Sequence, residues 1–271
     1  MPRTQARYGW VPDLPDHRDH LFAAPPAVLR ALPAKVDLRK QCPPVVDQGR
    51  IGSCTANAIA GAVQFDRRKA GEGPDFVPSR LFIYYNERSI EHDVAYDRGA
   101  QLRDGIKSVV KLGVCPEPMW TYDDTPADPQ TDQFGPGVKA GEKPSAACFA
   151  EAKKVEALAY LRIVQNLQQL QGCLAEGFPF VFGISVYRSF WDAKGTPHTT
   201  IPLPAATELA GQPIGGHAIV GVGYDNNKDL FICRNSWGPD VQDQGYFYLP
   251  YHYVTDATLA SDFWTIRRMS A

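Results

Sequence analysis

Several features that would assign this chain to a class of proteins are missing. No run of apolar residues reaches the length of a membrane span, so we expect no membrane partner. Residues 1–7 lack the apolar core of a signal peptide, which leaves two compartments open: the cytoplasm, or export without a conventional leader. A net charge of −2 argues against the basic surface that nucleic-acid binding needs, so no nucleic-acid partner is expected either.

Cysteine is sparse, and no two cysteines are spaced as in a Cys/His metal site. We therefore expect no metal and no cofactor. If one cysteine is chemically reactive, an odd number remains, which fits a reducing compartment at least as well as a full set of disulfides. The six cysteines are Cys42, Cys54, Cys115, Cys148, Cys173 and Cys233.

Proline is concentrated at the start of the chain, where residues 1–33 hold six. This density disfavours helix and predicts an extended arm rather than a domain. Helical patterns then dominate up to about residue 122, and strand patterns dominate beyond it. Helices first and strands after is typical of an α+β protein with segregated lobes. We expect a helical lobe over residues 34–122 and a β-rich lobe over residues 123–271.

Hydrophobic periodicity and turn residues predict the individual elements. Helices are predicted over residues 53–69, 79–88, 102–112 and 166–176. Strands are predicted over residues 158–164, 179–186, 218–224, 230–234, 245–249 and 263–266. Residues 123–147, rich in proline, glycine and aspartate, are predicted to form a long surface loop, and residues 187–213 a second one.

The sequence is organised around a glycine-bearing loop, residues 47–54, that runs into the first of these helices. Ser53 can cap that helix, which puts Cys54 on the first turn, where the helix dipole lowers a thiol pKa and favours the nucleophilic thiolate. Gln48 can return its side-chain amide to the same place, as an oxyanion-hole donor does beside a backbone N–H. The alternative is that Cys54 is a small buried hydrophobe, which explains neither Gln48 nor the glycines.

A histidine and an asparagine are predicted to meet at one end of the sheet. His217 begins one strand and Asn235 ends its hairpin partner, so antiparallel pairing brings them together. The imidazole can then take the Cys54 proton, while Asn235 accepts from the other ring N–H and fixes the tautomer. Trp237 can shield that bond from water. The alternatives are a structural or surface histidine and an ordinary turn at residues 235–238.

Together these pieces resemble the papain-like cysteine peptidases, in a bacterial-type form that lacks the first cysteine of the family motif. The resemblance implies a catalytic set of Cys54, His217 and Asn235, with Gln48 and the Cys54 N–H forming the oxyanion hole. It also implies a papain-like two-lobe fold, with helices on one side, an antiparallel sheet or barrel on the other, and the active-site cleft between them. In chain order the matching motifs are Gln48-Gly49, Gly52-Ser53-Cys54, Gly216-His217-Ala218, Gly221-Val222-Gly223-Tyr224, Asn235-Ser236-Trp237-Gly238 and Gly245-Tyr246.

We expect a monomer that binds a peptide or protein substrate. The resemblance further implies which residues bind this substrate. Gly99 and Ala100 stand where the family has a glycine pair that binds the substrate backbone. Gly183 and Gly215 fall near the second specificity pocket, and their small size would leave that pocket roomy. The expected substrate-binding residues are Gly99, Ala100, Gly183, Gly215, Gly216 and Trp237.

Three positions depart from the family. Ile51 stands in place of a motif cysteine, and Thr55 in place of an aromatic residue. Asp97 occupies the expected position of the disulfide partner, so both ends of that crosslink are missing together. The distances in sequence from the nucleophile to the histidine and asparagine also exceed the family's roughly 130–150 residues. The two long predicted loops can absorb this excess because loop growth costs little entropy.

The leading hypothesis is a cysteine endopeptidase that works through a thioester acyl-enzyme. An exopeptidase or transpeptidase would use the same residues, and a silent relative would bind peptides without cleaving them. An intact set of Cys54, His217, Asn235 and Gln48 argues against silence. The arm occupies the place of a pro-segment, and we expect residues 8–22 either to lie across the cleft and limit substrate entry, as in a zymogen, or to form a strut or loose tail.

Overall fold

The computed structural model describes residues 8–71, 75–154 and 158–268, so residues 1–7 of the predicted arm lie outside the described residues. The helices are α1 Pro26–Arg30, α2 Cys54–Lys69, α3 Arg80–Ile90, α4 Leu102–Leu112, α5 Ala146–Ala152, α6 Leu167–Ala175, α7 Ala206–Leu209 and α8 Tyr251–Thr255. The strands are β1 Trp10–Val11, β2 Leu21–Phe22, β3 Lys35–Asp37, β4 Ala100–Gln101, β5 Leu158–Ile163, β6 Phe180–Val186, β7 Gly215–Asp225, β8 Leu230–Arg234, β9 Tyr246–Pro250 and β10 Ala260–Arg268.

The four predicted helices are confirmed, and their ends follow the expected local chemistry. Helix α4 has the predicted bounds and stops at Gly113, whose φ of 74° suits glycine. Ser79 caps α3 through its side chain, and Asn166 caps α6 in the same way. The predicted strands are also present, within about two residues at most ends, and the α+β class is confirmed.

The larger sheet is open and does not close into a barrel. Its eight strands run in the order β2-β5-β10-β6-β7-β8-β9, with β3 paired to β7. Strands β6, β7, β8 and β9 pair antiparallel with their neighbours, whereas the arm strand β2 lies parallel to β5. Strand β8 ends at Arg234 opposite Val220, so the next residue, Asn235, falls at the end of β7 that carries His217.

Helix α2 is the central helix and packs against the sheet. Every residue from Cys54 to Asp66 is buried, which agrees with its small and apolar sequence. Its Gly61 lets the sheet come close, because a Cβ there would lie 2.8 Å from Nη1 of Arg234. This packing holds the first residue of α2 against β7 and therefore sets the position of the cysteine.

Short helices correct the sequence prediction, and one of them, α7 at Ala206–Leu209, lies in the second predicted loop. The arm was expected to be free of helix, but α1 forms at Pro26–Arg30 because proline is tolerated at the first helical position and none follows until Pro33. The predicted loop 123–147 runs into α5, which begins at Ala146 after Ser145 caps the Cys148 N–H. The intervening proline and glycine residues hide this cap in the sequence.

Within the three described ranges, no helix is both long and apolar enough to cross a membrane.

Candidate active site

Cys54 is the first residue of α2 and is fully buried. Ser53 stands at the N-cap, but the predicted side-chain cap was wrong. Its Oγ lies 2.5 Å from the hydroxyl of Tyr122 and accepts from Nδ2 of Asn57 at 3.0 Å. Tyr122 in turn donates to the backbone oxygen of Gln48 at 2.9 Å. The serine hydroxyl is therefore used to tie the two ends of the loop together.

Gln48 is fully buried and joins this loop to the end of β8. Its Oε1 accepts from the hydroxyl of Ser236 at 2.6 Å, and its backbone N–H donates to the Ser236 oxygen at 2.7 Å. Its Nε2 donates to the oxygen of Ile51 at 3.1 Å. Because the oxygen of Ile51 only accepts, Nε2 must face it and Oε1 must face the Ser236 hydroxyl, so the amide has one orientation.

His217 and Asn235 meet as the hairpin predicted. Nε2 of His217 lies 2.9 Å from Oδ1 of Asn235, and both residues are buried. Trp237 stacks on the imidazole with ring centroids 4.9 Å apart and an interplanar angle of 27°. The other ring nitrogen, Nδ1, is buried without a hydrogen-bond partner in the described part of the chain. The backbone N–H of Ala218, next to His217, points at the Cys54 sulfur.

Burial keeps both groups neutral. It raises the pKa of Cys54 to about 12, although the N–H groups of Ala218, Gly9 and Thr55 act in the opposite direction. It lowers the pKa of His217 to about 4, opposed by the bond to Asn235. The predicted thiolate was therefore wrong for the buried site, because desolvation outweighs the partial charge of a helix end.

The arm itself buries the site. The N–H of Gly9 points at the Cys54 sulfur, and its oxygen accepts from the N–H of Ala100 at 2.8 Å. Strands β1 and β4 pair in parallel here, with Trp10 opposite Ala100. Glycine leaves room for this approach, because a Cβ on Gly99 would lie 2.0 Å from the Gly9 oxygen. One backbone strand of the arm thus covers the cysteine.

Two arm side chains fill the space beside this strand. The ring of Trp10 packs between Gly183 and Gly216, where added Cβ atoms would lie 1.9 Å and 2.8 Å from it. The ring of Tyr8 packs on Gly215. These are positions that the sequence assigned to substrate binding, and in this structure they contact the arm.

An aromatic series links the arm to the histidine. Trp191 stacks on Trp237 with ring centroids 6.1 Å apart, and Tyr8 meets Trp191 edge-on, also at 6.1 Å. Trp191 lies in the second predicted loop and was not among the predicted site residues. Nothing in its local sequence distinguishes it from a surface tryptophan.

A cluster of charged residues anchors the arm beyond the cleft. The carboxylate of Asp13 accepts from the N–H of Arg103 at 3.0 Å and from Nε1 of Trp264 at 2.8 Å. The N–H of Asp13 donates to Oδ2 of Asp262 at 2.8 Å. Asp19 and Arg103 form a buried two-point ion pair at 2.6 Å and 3.0 Å. Further on, β2 joins the sheet, so the arm is both a cover and a strut.

Comparison with known proteins assigns the family. The family model "Papain family cysteine protease" matches residues 97–263, more than half of the chain. The chain is 38% identical to an uncharacterized peptidase C1-like protein of Acanthamoeba polyphaga mimivirus, over 97% of this chain and 87% of that protein. The chain belongs to the papain family of cysteine proteases. It is a peptidase, and its substrates are peptides or proteins.

Solved structures agree with this assignment. Xylellain, a cysteine protease from Xylella fastidiosa, is 50% identical, with a TM-score of 0.92 over 100% of this chain and 99% of that one. Procathepsin B S9 from Trypanosoma congolense, at 15% identity, shares the fold with a TM-score of 0.71 over 97% of this chain and 85% of that one.

This papain-family protease has hydrogen bonds where the resemblance implies a disulfide. Oδ1 of the buried Asp97 accepts from the N–H of Gly52 at 2.9 Å and from the hydroxyl of Tyr84 at 2.5 Å. The carboxylate therefore ties the segment before Gly99 to the loop before Cys54. From the sequence, this position is predicted only to lack the family's cysteine. The hydrogen-bond partners of a single aspartate cannot be predicted from its neighbours in sequence.

Neither a disulfide nor a metal site is visible in the described ranges. All six cysteines are free thiols. No three histidine, cysteine, aspartate or glutamate side chains there are grouped so that they could hold a metal ion.

Proposed function

We propose that this protease is a cysteine endopeptidase with Cys54 as nucleophile, His217 as general base and then acid, and Asn235 as the residue that orients the imidazole. One observation carries the proposal: Nε2 of His217 faces Oδ1 of Asn235, while Nδ1 is buried without a hydrogen-bond partner among the described residues. An acceptor at Nε2 keeps the proton there and leaves the Nδ1 lone pair for the thiol proton.

The chemistry follows from this assignment. Once the thiol proton moves to Nδ1 of His217, the Cys54 sulfur attacks the scissile carbonyl carbon. The oxyanion is stabilised by the backbone N–H of Cys54 and the side-chain amide of Gln48, which Ser236 holds in one orientation. The imidazolium then protonates the leaving amine, and a thioester remains. Water, deprotonated by His217, hydrolyses the thioester and restores the thiol.

We also propose that the arm limits substrate entry and so reduces the activity of the full-length protease. At the sulfur the arm presents the N–H of Gly9, and the Gly9 carbonyl is engaged by Ala100. A donor N–H is not an electrophile, so this contact supports an arm that occupies the site as an inhibitor. Desolvation of Cys54 and His217 by the arm disfavours the ion pair as well.

The path of the arm favours an endopeptidase over an exopeptidase. The chain continues on both sides of Gly9, with Tyr8 on Trp191 and residues 10–13 leading away towards Arg103. A cleft that accepts chain on both sides of the sulfur can accept an internal segment of a substrate. A carboxylate or amine receptor at one end would be needed to read a chain terminus.

A comparison of blocked and unblocked peptides tests the proposal. Internally quenched peptides blocked at both ends are compared with peptides that carry a free terminus, with and without prior treatment of the protein with iodoacetamide. We expect cleavage within the blocked peptides and its loss after alkylation. Cleavage that requires a free terminus would identify an exopeptidase. No cleavage by a folded protein lacking residues 1–12 would identify a silent peptide-binding relative.

A further inference from the structure

Gln242 has an uncommon backbone conformation close to the site. It follows Asn235 by seven residues, and its φ of +57° lies in the left-handed region that favours glycine. A side chain persists in such a conformation where its surroundings hold it there, and these positions cluster at functional sites. The next such residue, Gln244 with a φ of +53°, is exposed, so the conformation alone is not specific to the site.

The side chain of Gln242 bridges two segments. Its Oε1 accepts from Nδ2 of Asn235 at 2.9 Å, and its Nε2 donates to the backbone oxygen of His198 at 2.8 Å. That oxygen is held firmly, because His198 donates to Phe190 at 3.0 Å and the neighbouring Thr199 accepts from Tyr248 at 2.8 Å. The second long loop thus provides a fixed acceptor for the glutamine.

These bonds determine which way each amide faces. A backbone oxygen only accepts, so Gln242 must direct Nε2 at His198 and Oε1 at Asn235. Asn235 must then direct Nδ2 at Gln242 and Oδ1 at His217. The N–H of Ser236, which donates to Oδ1 of Asn235 at 2.8 Å, requires the same orientation. A rotated Asn235 amide would place its Oδ1 against Oε1 of Gln242, which are both acceptors, and its Nδ2 against the N–H of Ser236, which are both donors.

We propose that Gln242 is a positioning residue: it fixes the orientation of Asn235 and thereby keeps the proton of His217 on Nε2. The inference rests on the proposed Cys-His-Asn function and adds to it. Without Gln242, Nδ2 of Asn235 loses its acceptor and only the Ser236 N–H still favours the original orientation, so the turned amide becomes more populated. The imidazole then populates the tautomer whose Nδ1 carries a proton and cannot accept one from Cys54.

The chain offers a matched control for the backbone effect. Gln242→Gly removes the side chain and suits the left-handed backbone, and Gln244→Gly makes the same change two residues away. The Gln244 side chain makes no hydrogen bond within the described residues. Relief of backbone strain is therefore common to both variants. Only Gln242→Gly removes the hydrogen bonds that link Asn235 to His198. Gln242→Asn, which tolerates this backbone but is one carbon shorter, is a second test if the glycine variant does not fold.

The first readout is kinetic, on the full chain. We expect Gln242→Gly to lower kcat by about 10–100-fold with little change in KM, as loss of a positioning contact does, and Gln244→Gly to leave both unchanged. The double variant Asn235→Ala/Gln242→Gly should be no slower than Asn235→Ala alone. Wild-type kcat in Gln242→Gly, or losses that multiply in the double variant, would overturn the inference.

The second readout is spectroscopic and does not depend on turnover. In protein labelled with ¹⁵N-histidine, the His217 signals are assigned by their absence in His217→Gln. We expect one tautomer, with the proton on Nε2, in the wild type and Gln244→Gly, and a mixture in Gln242→Gly. An unchanged tautomer in Gln242→Gly contradicts the inference alone. Wild-type kcat in Asn235→Ala would instead contradict the proposed function, and this inference with it.

Discussion

The catalytic centre and the arm that covers it lie in contact but are held in different ways. The centre is fixed by mostly neutral hydrogen bonds, such as the buried side-chain bond from His217 to Asn235 at 2.9 Å and the bond from Gln242 to the backbone oxygen of His198 at 2.8 Å. The arm is held by the inserted ring of Trp10, by the Asp13 carboxylate, which accepts from the N–H of Arg103, and by the Asp13 N–H, which donates to the carboxylate of Asp262. Neutral buried bonds respond little to pH, whereas a carboxylate cluster titrates. This difference is the basis for the proposal that the arm is released while the centre stays rigid.

The largest expected effect comes from removing the nucleophile. Cys54→Ala should abolish peptide hydrolysis and leave the fold intact, because the site offers no second nucleophile in its place. Hydrolysis of a fluorogenic peptide and the thermal unfolding midpoint are the measurements. Cys42→Ala, which changes a half-buried thiol outside the site, is the control and should retain activity. Activity at the wild-type rate in Cys54→Ala would refute the mechanism.

The oxyanion donor should be next in size. Gln48→Glu retains the shape of the side chain but replaces the donor amide by an acceptor, so kcat should fall by about 10²–10³-fold while KM changes little. Steady-state kinetics with a small peptide measure this effect. If KM rises and kcat is retained, Gln48 contributes to ground-state binding. The centre would then be less rigid than its comparison with the arm indicates.

Removing the inserted ring of Trp10 should weaken docking of the arm. Burial of a large apolar side chain contributes about 2–3 kcal/mol, so Trp10→Ala should weaken docking by about 30–150-fold and raise kcat/KM for small peptides. Val11→Ala is the control, because Val11 is 39% exposed. Equal kcat/KM in wild type and both variants would show that the docked arm does not limit substrate entry.

The charged anchor should make docking depend on pH. Burial and the neighbouring Asp262 raise the pKa of Asp13 to about 6 in the docked arm, against the opposing effects of Arg103 and Trp264. A raised pKa means that the docked state binds a proton more tightly than the released state. Docking is therefore strongest below the released-state pKa of about 4 and weakens by up to about tenfold per unit as pH rises towards 6.

The measurement is the activity of the full chain relative to a chain lacking residues 1–12, taken from pH 4 to pH 8. The ratio should rise with pH in the wild type. Asp13→Asn, which resembles the protonated carboxyl, should flatten the profile. A ratio that falls with rising pH would show that another group controls the release of the arm.

The smallest effect is expected from reductant. All six cysteines are free thiols in the structure, so dithiothreitol should leave the unfolding midpoint unchanged while it protects Cys54 from oxidation. Alkylation of an untreated sample followed by mass spectrometry counts the thiols directly. A large fall of the midpoint in reductant would indicate a structural disulfide.

The sequence predicted the candidate active-site residues better than it predicted the arm that covers them. Glycine, serine and the strand pattern placed Cys54 and His217 on the right elements, because these signals are local. The hydrogen bonds of Asp97 and Gln242 join residues far apart in sequence or depend on an uncommon φ, and neither property can be read from neighbouring residues. The raised pKa of Cys54 also cannot be read from its neighbours in sequence, because it comes from burial that only the folded chain creates.

The rate of Cys54 alkylation tests most directly whether the arm masks the nucleophile. Full-length protein and protein lacking residues 1–12, each otherwise wild type, are treated with iodoacetamide across the pH range, and modification of Cys54 is followed by mass spectrometry. Without the arm, Cys54 should react at least about tenfold faster near neutral pH, with an apparent pKa well below the value of about 12 that burial produces. Identical rates and pH profiles in the two folded proteins would contradict the account.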